Sequence, residues 1–159
     1  MSHPNSLKIL SLANIIHPTV DPDANPVVDI NIGHNPNVKS LHILDIHVPS
    51  PVTEGSYQDM EKFRLLLRLF SDIGESCRLE ELKLNVSIPM CNEEPTDGSP
   101  WERLDRILAG TNFKFLRKLD IEVFPGGWYD SPWLDGICEN VVRWLPLLRA
   151  GGVSVKCII

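Results

Sequence analysis

Asp45 and His47 stand two residues apart in LHILDIHV, and Asp120 and Glu122 stand two apart in LRKLDIEV. A histidine held by one carboxylate and facing another has the makings of a general base, and the same groups are donors that a divalent cation can use. Asp45, His47 and Asp120 would in that case serve a small hydrolase or transferase built on an α/β fold. The surrounding sequence does not frame them for such work. It contains no GxSxG, HExxH, HRD or DFG, and no cysteine with a paired base. Asp45 and His47 lie on separate pleats of a strand, and no ligand-spacing motif accompanies them. Glu80/Glu81 and Glu93/Glu94 are adjacent in sequence, so they are not aimed at one point as a glycosidase pair would be. Pro125-Gly126-Gly127-Trp128 carries two glycines without either phosphate-loop frame and fits a tight turn. The expectation is no catalytic centre, no cofactor and no metal.

Bulk properties narrow the classes further. The 159 residues are enough for one domain with a real core, and 43% hydrophobic with 23% charged content suits a globular chain. A formal net charge of -6 repels a nucleic-acid backbone, and the basic residues Arg64/Arg68 and Lys114/Arg117/Lys118 form only short, interrupted stretches. No stretch reaches the ~18 consecutive apolar residues of a membrane span, and the N-terminal run is broken by Ser11, Asn14 and His17. An intracellular protein is expected, with neither nucleic acid nor membrane as partner. Cys77, Cys91, Cys138 and Cys157 are widely spaced with no CxxC, and are expected as reduced, small apolar fillers. The sequon Asn85-Val86-Ser87 falls in an expected strand and is discounted.

The elements that would position these side chains repeat. LHILDIHV (41–48), LEELKLNV (79–86) and LRKLDIEV (116–123) align without gaps as LxxLxLxV, at spacings of 38 and 37 residues. A further 37 reaches Val153, where VSVKCII begins, and LKILSLAN (7–14) precedes the first copy by 34. Alternation after the first leucine predicts strands. Between them, Met60, Phe63, Leu66, Leu67 and Phe70 share one helical face, as do Trp101, Leu104, Ile107 and Leu108, an offset of 41. A third helix over SPWLDGICENVVRWLPLL offers Trp133, Ile137, Val141 and Trp144 or Leu145. The triplet Ser-Pro-Trp opens the second and third helices, with serine as cap and proline at the first helical position, and both tryptophans are expected to be buried.

Strand, crossover helix and strand of the same sense predict a parallel sheet. The expected architecture is an α/β, leucine-rich-repeat-like solenoid of about five or six strands with three helices on one face. It forms a single domain over 1–159: an irregular unit at 1–40, units at 41–78, 79–115 and 116–152, and a final strand at 153–159. The proline-rich segment 17–40 is expected to carry a short extra strand at Val27 to Ile32.

On LxxLxLxV the fourth, sixth and eighth places point to the helices, and the fifth and seventh point away. That predicts an outward patch of Asp45, His47, Lys83, Asn85, Asp120 and Glu122, extended by Ser87 and Phe124. His42 is assigned to the inward side. Solvent alone requires an open sheet face to be polar, so the patch becomes informative only as a surface for a protein partner. An exposed sheet edge may also pair.

WERLDRILAGTNFKFLRKLDIEV (101–123), the LEELKLNV strand and the closing WLPLLRAGGVSVKCI (144–158) resemble the C-terminal portion of fungal, basidiomycete F-box and leucine-rich-repeat-like proteins. The resemblance covers roughly residues 35 to 159. It implies a non-enzymatic repeat domain of the substrate-recognition type. The stretch before Leu7 has no room for an F-box, so a free-standing or truncated repeat region is also an expectation.

Overall fold

The computed structural model describes residues 6–11, 37–47, 57–88, 99–125 and 134–159. Strands β1 (Ser6–Ser11), β2 (Val38–His47), β3 (Glu81–Ile88), β4 (Lys118–Pro125) and β5 (Ser154–Ile158) form one open sheet in the order β1-β2-β3-β4-β5, with every neighbouring pair parallel. Helix α1 (Tyr57–Ser71) lies between β2 and β3 in the chain. Helix α2 (Ser99–Leu108) and a 3-10 turn (Thr111–Phe113) separate β3 from β4. Helices α3 (Leu134–Arg143) and α4 (Pro146–Ala150) lead to β5. The architecture is therefore α/β with a five-stranded parallel sheet, as the repeat predicts. The expected strand at Val27 to Ile32 and the second Ser-Pro-Trp lie outside the described residues.

One face of the sheet builds the core. Val38, Leu41, Ile43 and Ile46 of β2, Leu82, Leu84 and Val86 of β3, and Leu119, Ile121 and Val123 of β4 are all buried. Against them pack Phe63, Leu66, Leu67 and Phe70 of α1, Trp101, Leu104 and Leu108 of α2, Ile137 and Val141 of α3, and Leu145 and Leu148. Edge-to-face aromatic pairs join successive units: Phe63 with Trp101 at 6.5 Å and Phe70 with Phe113 at 5.7 Å. Trp101 is buried, as its place on the apolar face of α2 predicts. Leu79 and Leu116, the first leucines of their copies, are buried just ahead of β3 and β4 rather than within them.

The sequence alignment of the copies becomes the spatial register only between β3 and β4. There Leu82 pairs with Leu119, Leu84 with Ile121 and Val86 with Val123, an offset of 37. Between β2 and β3 the expected offset of 38 is wrong. Leu41 pairs with Leu82 and Ile43 with Leu84, and after a bulge Ile46 pairs with Val86. In the bulge Leu44 and Asp45 together oppose Asn85, which reverses the inward and outward parity along β2. At the other end Leu119 pairs with Val155, one residue short of the repeat spacing, which keeps Val155 and Cys157 on the core side.

The third helix is also corrected. It breaks at Trp144 and Leu145, because Pro146 cannot supply an amide to a continuing helix and restricts the residue before it. Leu145 leaves helical geometry at φ -117, ψ 52, with no side-chain cap of its own. The cap comes from α2. Asp105, only 2% exposed, accepts the Leu147 amide through Oδ2 and the Leu148 amide through Oδ1, both at 2.9 Å. A short helix that could not stand alone is thus held by a charge on its neighbour.

The far end of α4 closes in a Schellman turn. The Val153 amide donates to the Leu148 carbonyl at 3.0 Å and the Gly152 amide to the Arg149 carbonyl at 3.1 Å. Gly152 sits at φ +82, the left-handed conformation this turn requires.

Two outcomes follow for denaturant unfolding. Asp105→Ala strands two shielded amides and should lower stability by about 2–4 kcal/mol, and Asp105→Asn by less, since it keeps one acceptor. Gly152→Ala should cost about 1–2 kcal/mol through the left-handed backbone alone.

Candidate functional site: the open face of the sheet

Parity along each strand fixes what the second sheet face presents. Reading across the strands in register, one row runs Ser40, Glu81, Lys118, Ser154, and the next runs His42, Lys83, Asp120, Lys156. Beyond it Asn85, Glu122 and Ile158 align, and after them His47, Ser87 and Phe124. Neighbouring strands lie about 4.8 Å apart, so these side chains form a continuous surface.

The surface is tied together by polar contacts between strands. Lys83 Nζ meets Glu122 Oε2 at 2.8 Å across β3 and β4, and Lys118 Nζ meets Asp120 Oδ2 at 2.6 Å along β4. His42 Nε2 lies 2.6 Å from Asn85 Oδ1, joining β2 to β3. At the entry to the sheet Lys39 Nζ meets Glu80 Oε1 at 2.8 Å. Asp120 Oδ1 is shielded from solvent and accepts no hydrogen bond among the described residues. Among the residues whose burial is described, the exposed apolar members are Phe124 and Ile158, 46% and 41% exposed, on neighbouring strands at the C-terminal end of the face.

Two of the charges are shifted by their partners. The hydrogen bond and charge of Lys39 hold the Glu80 carboxyl below its usual range, and those of Asp120 raise the Lys118 ammonium. A depressed carboxyl lends stability that is present above its unfolded pKa and is lost as pH falls through the folded value. A raised ammonium lends stability that is present below its unfolded pKa and is lost as pH rises through the folded value. Both pairs are therefore intact at neutral pH.

Of the residues chosen from sequence, the structure brings Lys83, Asn85, Asp120 and Glu122 together and sets Phe124 at the margin. Asp45 falls in the β2 bulge, and its side chain lies outside the described part. His47 belongs to the row of Ser87 and Phe124, four residues along and two strands over from Asp120, a separation of roughly 16 Å. The Asp45, His47 and Asp120 constellation therefore does not converge, for catalysis or for a metal. Among the described residues no group of three or more His, Cys, Asp or Glu is arranged to hold a metal ion.

His42 was assigned to the wrong side. It pairs with Lys83 and bonds Asn85, so it belongs to the outer face. The gapless alignment of the copies hid this, because it carries β2 past the bulge with its parity unchanged. A usable signal was the offset of 41 between the helical faces of α1 and α2, the same offset at which Leu41 meets Leu82. The repeat spacing puts β5 one residue out of register, and so does not place Lys156 and Ile158 on this face.

The chain matches no protein-family model, no curated protein and no solved structure. No helix among the described residues is long and apolar enough to cross a membrane. What can be said of function rests on the geometry of this face.

If the face is not needed for folding, its ion pairs should be dispensable. Lys83→Met combined with Glu122→Gln should change stability by under about 1 kcal/mol in urea, since exposed pairs contribute little. Leu84→Ala, directly behind them, should cost about 2–5 kcal/mol.

Proposed function

We propose that this chain is a non-enzymatic protein-interaction module, a leucine-rich-repeat-like solenoid that binds a protein partner across the open face of its sheet. One observation carries the reading. All-parallel sheets are ordinarily covered on both faces, yet the helices of the described residues pack on one face, opposite the row of His42, Lys83, Asp120 and Lys156. That second side, uncovered among the described residues, is broad, ordered by its own cross-strand contacts and carries both charge signs. It also carries two exposed apolar side chains at one corner, Phe124 and Ile158.

That composition suits a macromolecular partner better than a small substrate. Lys83 and Glu122 neutralise each other, so the face offers no concentrated charge to a small ion. Phe124 and Ile158 favour a partner that brings an apolar side chain. The resemblance of 101–123 and 144–158 to F-box and leucine-rich-repeat-like proteins supports a substrate-recognition role for the same face. An enzymatic alternative loses its candidate residues with the separation of His47 from Asp120.

The test is proximity labelling in the cell of origin with three forms of the full chain: unchanged, Lys83→Glu with Phe124→Asp, and a control with Arg103→Glu on the exposed side of α2. The face variant should keep its circular dichroism and lose a protein neighbour that both other forms retain. Retention of every neighbour by the face variant would overturn the proposal.

A further inference from the structure

Two cysteines far apart in sequence meet behind the edge of the sheet. Cys157 lies on the core side of β5, in register with Ile121, and Cys138 lies on α3, the helix that packs against β5. Both are half-buried and both pack against the same apolar cluster. Burial first, and then the neighbouring Cys138, raise the Cys157 thiol above its ordinary value. Cys77 is the contrast: it is 2% exposed inside the core, and burial raises its thiol, so it is shielded from reagents.

We propose that Cys138 and Cys157 form a reversible dithiol–disulfide pair that locks edge strand β5 to helix α3. The oxidant is a small disulfide of the glutathione class. The Cys138 thiolate attacks one sulfur of that disulfide, a new S–S bond forms, and the first glutathione leaves as thiolate. Cys157 then gives up its proton to solvent and attacks the Cys138 sulfur, expelling the second glutathione. Two protein thiols lose two electrons and two protons, and the small disulfide takes up the two electrons as two thiols. A disulfide needs its sulfurs about 2 Å apart, and Cys138 and Cys157 stand on two elements already packed against each other and against the same core cluster.

The location gives the bond a consequence. Among the described residues strand β5 has one sheet neighbour, β4. It is held from behind by α3 and α4, and α4 depends on the borrowed cap from Asp105. A covalent link from α3 to Cys157 fixes an edge strand of the sheet and closes a chain loop between positions 138 and 157. Constraint of that loop in the unfolded chain raises the melting temperature, by about 5–10 °C for a domain of this size.

The experiment equilibrates the full chain in reduced and oxidised glutathione, then combines non-reducing peptide mapping, intact mass and thermal melting. The expected result is a peptide linking Cys138 to Cys157, a mass lower by two hydrogens, and a melting rise of that size that dithiothreitol reverses. Cys138→Ser and Cys157→Ser should each abolish the rise and leave one glutathione on the remaining partner. Three results on the unsubstituted chain would overturn the proposal: thiols that stay reduced in excess oxidised glutathione, glutathione adducts that never close, or a link made through Cys77 or Cys91. The unsubstituted chain decides the matter even if a serine variant fails to fold.

Discussion

A backbone ladder at the entry to the strands governs this structure. The Glu80 amide donates to the Lys39 carbonyl, the Arg117 amide to the Glu80 carbonyl and the Ser154 amide to the Arg117 carbonyl, each at 2.8 Å. These bonds set where each strand starts against the one before it. Parity then decides every residue that follows, because a shift of one position along a strand exchanges its two faces. The burial of Leu82, Leu84 and Val86 and the outward placing of Lys83, Asn85 and Ser87 are two results of one register.

The helices respond to that register. Each crossover must lay an apolar stripe over the strands it joins, and the edge-to-face contacts Phe63–Trp101 and Phe70–Phe113 show successive units meeting along the helix layer as well as in the sheet. The last crossover is built differently. Pro146 divides it, and the short α4 is completed by Asp105 from the preceding unit. This end of the domain is held by two hydrogen bonds to the buried Asp105 where the other units use continuous helical packing. It is also the end where Cys138 and Cys157 are neighbours.

The open face shows how a surface can be ordered and remain available. Lys83 with Glu122, and Lys118 with Asp120, satisfy most of its charge internally. The proposed partner surface uses what those pairs leave over, the apolar corner of Phe124 and Ile158.

Much of this was legible in the residues. Leucine and β-branched alternation marked β2, β3 and β4, the 3 and 4 spacing marked α1 and α2, and Lys83, Asn85, Asp120 and Glu122 were placed on one face from parity alone. These features are local, or repeat at a spacing the register keeps, as the offset of 37 between β3 and β4 does. Tertiary structure alone decided the β2 bulge, the side on which His42 lies, the single-residue shift of β5, the partner of Asp105 and the meeting of Cys138 with Cys157. Each depends on how two distant segments are set against each other. A sequence pattern records which residues are apolar along one strand, whereas register is a relation between strands, fixed by the backbone bonds that join them.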